Sequence, residues 1–138
     1  LLKILIKRNN MKGGVDNVIC IPTSLEGKFF KHWLKFLLPF HNLTDREMDV
    51  AAGFLKYRFN LSKVISDDNI LEQVLMSEET KKSIREDCGI TLAHFQVVMS
   101  KLRKAKVVID GHLNPRFIPN VKEENGNFKL LLLFDFDA

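Results

Sequence analysis

The stretch from Ser77 to about Pro119 limits most tightly what this chain can fold into. Ser77 stands where a helix N-cap belongs, with Glu78 and Glu79 in the following turn, where carboxylates suit the positive end of a helix dipole. Ile84 falls on the inner face of that helix. Gly89 falls at its C-cap, a left-handed position that glycine adopts at little steric cost. Thr91 caps a second helix running to about Ala105, whose apolar series Leu92, Phe95, Val98, Met99 and Leu102 keeps helical spacing. The β-branched run Val107-Val108-Ile109 then meets Asp110-Gly111, a dipeptide suited to a two-residue hairpin. The segment from His112 to Ile118 returns as the second strand, interrupted at Pro115. The pattern predicts two helices joined at a tight turn and followed by a hairpin.

The flanking segments are shorter statements of the same kind. Leu2 to Ile6 and Val18 to Ile21 are apolar, β-branched runs separated by Asn9-Asn10 and Gly13-Gly14, and they predict two strands paired as a hairpin. A helix is expected over about Leu25 to Leu38, its apolar stripe formed by Phe29, Phe30, Trp33, Leu34, Leu37 and Leu38, with Pro39 ending it. Thr44 and Glu47 are spaced for a capping box, and Leu43 and Met48 for the hydrophobic staple that closes over it. The helix they open should reach about Phe59 and bury Val50, Ala51, Phe54 and Leu55. A polar break, Ser66 to Asn69, precedes a short helix from Ile70 to Met76. Glu123 to Asn127 forms a turn. Phe128 to Phe136 is a nearly all-apolar strand that needs cover on both faces, and the N-terminal strands are its expected partners.

These elements predict an α+β fold. Residues 1–42 form a platform of strands and an amphipathic helix, 43–122 a helical module, and 123–138 a strand returning to the platform. The chain has 138 residues, of which 46% are hydrophobic and 28% charged, enough to bury a core without disulfides or metals. No apolar run is long enough to span a bilayer, and the charged opening Leu1 to Arg8 does not read as a signal peptide, so a cytoplasmic protein is expected. The chain opens on Leu1, which leaves a truncated piece, a non-Met start and an upstream extension of a Met11 start all open. Cys20 and Cys88 have no Cys-x-x-Cys partners and suggest reduced, buried thiols. His32, His41, His94 and His112 share no ligand spacing with them. There is no nucleophile elbow and no phosphate loop, so neither an enzyme nor a cofactor or metal is expected. Asp67-Asp68, Glu123-Glu124 and Asp135/Asp137 read as solvated carboxylates in turns or at a terminus.

The run from Ser77 to Lys106 resembles a helix-turn-helix, and the Val-Val-Ile-Asp-Gly that follows stands where winged-helix proteins place their wing. The resemblance implies a winged helix-turn-helix, with the small sheet of N-terminal strands and C-terminal strand attached to it. Separately, Leu43-Thr44-Asp45-Arg46-Glu47 followed by Val50 resembles the Leu-Thr-x-Arg-Glu-x-x-Val start of LuxR-type DNA-binding domains. That family lacks a wing and has no counterpart to residues 62–76, so its functional residues are not carried over. The overall character is similar to small uncharacterised proteins of tailed phages that infect Bacteroidetes, the crAss-like group among them.

A winged helix implies duplex DNA as partner, and the charge pattern accords with it. Net charge is +4, and from Thr91 to Lys106 the chain holds Lys101, Arg103, Lys104 and Lys106 with no acidic residue. His94, Val97, Lys101 and Lys104 follow one stripe, flanked by Gln96 and Ser100. Gln can pair with adenine, Lys with guanine or phosphate, and Val with a thymine methyl. Lys81, Lys82 and Arg85, with Arg116 or Lys122, could add phosphate contacts, and Asp110, Gly111 and His112 would form the tip of the wing. Cations in a last helical turn also simply complement the dipole, and two helices joined by a turn serve protein contacts equally well. The alternative is therefore a structural or adaptor component of a phage virion that binds neighbouring subunits. In that case Trp33 and Phe30 are candidate partner contacts, although an aromatic stripe is more often core. Transcription or replication accessory work in a phage or bacterium fits the first expectation. A homo-oligomer is left open.

Overall fold

The computed structural model describes residues 23, 24 and 27–121 in full, and the backbone of 5–8, 17–20, 122–124 and 127–129. Strands β1 (Leu5–Arg8) and β2 (Asn17–Cys20) pair antiparallel, Leu5 opposite Cys20, as the apolar runs predict. Helix α1 covers Phe29–Phe36, and α2 covers Leu38–His41. Pro39 does not end a helix. It sits in the first turn of α2, where its missing N–H had no partner to lose.

Helix α3 (Asp45–Ser62) is the hub. Its entry is the expected capping box: the Glu47 N–H donates to Thr44 Oγ1 at 3.3 Å, and the Thr44 N–H donates to Glu47 Oε1 at 2.9 Å. Leu43 and Met48 are both buried over it. Helices α1, α4 (Asp68–Leu75), α5 (Glu78–Cys88) and α6 (Leu92–Lys104) all pack against α3. The core lies between them, with Leu34, Val50, Ala51, Phe54, Leu75, Ile84 and Leu102 essentially without exposure. Burying each of the larger side chains contributes roughly 1.5–3 kcal/mol.

Caps set the later helix boundaries. Ser77 Oγ accepts the Thr80 N–H, and Thr91 Oγ1 accepts the His94 N–H at 3.1 Å. Gly89 closes α5 in the left-handed region, at φ 64° and ψ 36°. Strands β3 (Val108–Ile109) and β4 (His112–Leu113) make the expected hairpin. Its turn residues, Asp110 and Gly111, both have positive φ, the requirement of a type I′ turn. The return strand is shorter than predicted, because Asn114 caps a 3-10 turn at Pro115–Phe117.

The C-terminal expectation changes. The described part of the terminal apolar run, β6 (Asn127–Lys129), pairs with β5 (Lys122–Glu124) and not with β1 or β2. Two residues, Asn125 and Gly126, separate those strands, and closing so short a loop costs far less entropy than pairing across the length of the chain. Residues 130–136 of the predicted strand lie outside the described residues. The architecture is α+β: six α-helices among the described residues, with short antiparallel strand pairs. No helix among the described residues is long and apolar enough to cross a membrane.

Candidate nucleic-acid interface

Helix α6 turns Phe95, Val98, Met99 and Leu102 into the core, and Phe95 stacks on Phe54 of α3 at a centroid distance of 6.4 Å. Leu92, expected on that buried face, is instead 54% exposed. It lies in the first turn and lines a groove shared with α5. The opposite side presents His94, Val97, Ser100, Lys101 and Lys104 to solvent. Val97 is 59% exposed on this side. Thr91 is exposed as well, but its hydroxyl is already engaged as the N-cap. Gln96 does not share the stripe with Val97. It lines a groove between α5 and α6 together with Lys81, Lys82, Arg85 and Arg103.

The cations differ in how free they are. Lys101, Arg103 and Lys104 make no ion pair among the described residues. Lys81 pairs with Glu78 at 3.8 Å and Lys82 with Glu86 at 4.0 Å, loose contacts that leave both cations available to another anion. Arg116 lies over the Phe40 ring, 5.3 Å from its centroid. The Lys122 side chain lies outside the described residues. Lys106 is exposed with φ 59°, and its carbonyl accepts a hydrogen bond from Asn114 Nδ2 at 2.9 Å. This left-handed residue bends the chain from α6 into the hairpin.

The hairpin tip, Asp110, Gly111 and His112, is exposed. Its base is held by Glu72 of α4, a residue that no motif or periodicity singles out. Glu72 Oε2 accepts the Leu113 N–H at 3.4 Å and lies 4.0 Å from His112 Nδ1. Glu72 Oε1 accepts Arg58 Nε at 3.0 Å, which ties the hairpin through α4 to α3. The partners are 14 and 41 residues apart, beyond any periodicity a sequence can display.

The other candidates sit elsewhere. Phe30 is 2% exposed within the core. Trp33 is half-buried and donates from Nε1 to the Phe117 carbonyl at 2.7 Å, tying α1 to the 3-10 turn. Phe30 is therefore not displayed at the surface, Trp33 keeps part of its surface in solvent, and the exposed aromatic side chains of that region are Phe36 and Phe40. Cys88 is a free, half-buried thiol, and burial, with the charges of Asp49 and Asp87, pushes its pKa up. No cluster of His, Cys, Asp and Glu able to hold a metal ion occurs among the described residues.

In class, then, this is an α+β protein in which a helix pair joined by a glycine-capped turn leads into a hairpin pinned to the helical core. No family model, curated protein or solved structure matches the chain.

Proposed function

We propose that residues 77–119 work as a winged helix that binds duplex DNA, with α6 in the major groove and the β3–β4 hairpin against the backbone. The single observation that carries this reading is the outer surface of α6. It displays His94, Val97, Ser100, Lys101 and Lys104 together, with no acidic residue between Thr91 and Ile109. Base edges are read by such polar and small apolar groups, and phosphates by the cations beside them. Asp110 has a conformational part in the turn, so backbone contact falls to His112, Lys106 and the main chain. The protein is then a non-catalytic accessory of phage or bacterial transcription or replication.

Affinity for unrelated duplexes, measured against salt, tests the proposal. Binding should fall steeply, with a log–log slope of about 0.9 for each phosphate neutralised. The double variant Lys101→Glu, Lys104→Glu should lose at least about tenfold in affinity and about 2 from that slope, with its melting temperature little changed. Wild-type affinity in the folded double variant rules the assignment out. A second reading, an adaptor or structural subunit of a phage particle, draws on the exposure of Phe36 (51%) and Phe40 (59%). It requires stoichiometric copurification with a large assembly.

A further inference from the structure

We infer that the groove between α5 and α6 is a docking site for an acidic peptide segment of a partner protein, one that carries a large apolar side chain. The groove has a volume of ≈ 410 Å³, within the range of sites that seat a side chain or two. Phe95 and Met99 form its floor. Leu92 forms a wall, and its half-exposed side chain gains burial only when something fills the recess. The rim is cationic: Lys81, Lys82 and Arg85 come from α5 and Arg103 from α6, facing one carboxylate, Glu78, which is already paired with Lys81. Arg85 and Arg103 make no ion pair among the described residues.

An apolar recess inside a cationic rim selects an occupant that is apolar at its centre and anionic at its edges. A DNA backbone supplies the anions but has no side chain to fill the recess. A nucleobase would need an exposed aromatic face to stack on, and Phe95 is 4% exposed with its ring committed to Phe54. An acidic peptide supplies both parts. The groove and the proposed DNA face adjoin around α6: Gln96 of the groove lies about 40° from Ser100 of that face, and Arg103 about 100° from Lys104.

The test is selection of random peptides of about a dozen residues, displayed on particles, against the immobilised full chain. Affinities of the selected peptides are then measured for wild type, Leu92→Glu, Arg85→Glu/Arg103→Glu, and Lys101→Glu/Lys104→Glu. The expected peptides are net acidic and contain Leu, Ile, Phe or Met. Their affinity should fall about tenfold or more in the first two variants and stay unchanged in the third. Leu92→Ala, which removes apolar surface without adding charge, should weaken binding by a smaller factor and guards against misfolding of the Glu variant. The inference is overturned if no peptide is enriched, if those enriched show no acidic excess, or if they bind the groove variants as tightly as wild type. It is also overturned if Leu92→Glu weakens a duplex as much as a peptide, because the groove is then part of the DNA surface. The third variant tests the DNA reading alone, so either reading can fail without the other.

Discussion

His41 lies buried at the end of α2, held between the Leu34 carbonyl at 2.7 Å and the Leu43 N–H at 2.9 Å. The Leu43 N–H donates to Nδ1, so the ring carries its hydrogen on Nε2 and donates to Leu34. One imidazole thereby satisfies two backbone groups at the sharp corner between α1 and α3, where Asn42 adopts φ 53°. His41→Ala should destabilise the protein by about 2–4 kcal/mol, since it strands a buried N–H and opens a cavity. Urea unfolding measures this, and a loss below about 0.5 kcal/mol would refute the role. Nothing in the sequence distinguishes His41 from the other three histidines. The capping residues Thr44, Ser77 and Thr91, by contrast, were legible, because a cap and the N–H it accepts lie three residues apart.

Gly53 shows the corresponding limit for an element. It sits inside α3, where glycine costs about 1 kcal/mol relative to alanine. A Cβ placed there would meet Ile84 Cγ2 of α5 at 2.9 Å, closer than real Cβ contacts allow. Glycine therefore lets α5 lie directly against α3. Gly53→Ala should lower stability by about 1 kcal/mol, because overpacking of a fully buried Ile84 outweighs the gain in helix propensity. In the double variant with Ile84→Ala the two losses should fall short of additivity by about 2 kcal/mol in thermal or urea unfolding, because the clash is relieved and the gain in helix propensity remains. If Gly53→Ala alone is stabilising, the close approach is not what keeps glycine at this position. Apolar periodicity marked Val50, Ala51, Phe54 and Leu55 as a buried face, but it could not say which helix covers that face.

At the scale of the whole molecule, Glu72 joins three elements. With Arg58 and the Leu113 N–H it fixes the hairpin relative to α4 and α3, and its side chain is only 12% exposed. Glu72→Gln keeps the shape but removes the charge that both partners use. It should cost about 1–2 kcal/mol and speed amide exchange at Leu113 well before exchange at Ile84 in the core. Uniform exchange rates across both sites would mean that the hairpin is held by its own pairing alone. If α6 and the hairpin contact DNA as one unit, Glu72 positions the hairpin without touching the ligand. The sequence by itself determined the caps, the type I′ turn at Asp110-Gly111, the helix end at Gly89 and the apolar faces, because each depends on groups within about four residues of one another. Tertiary structure alone decided that α3 is the hub, that Leu92 is left beside a cationic groove, and that Glu72 clasps the hairpin. Those outcomes depend on which surfaces the folded chain brings together, and packing between distant segments leaves no periodic mark on the sequence.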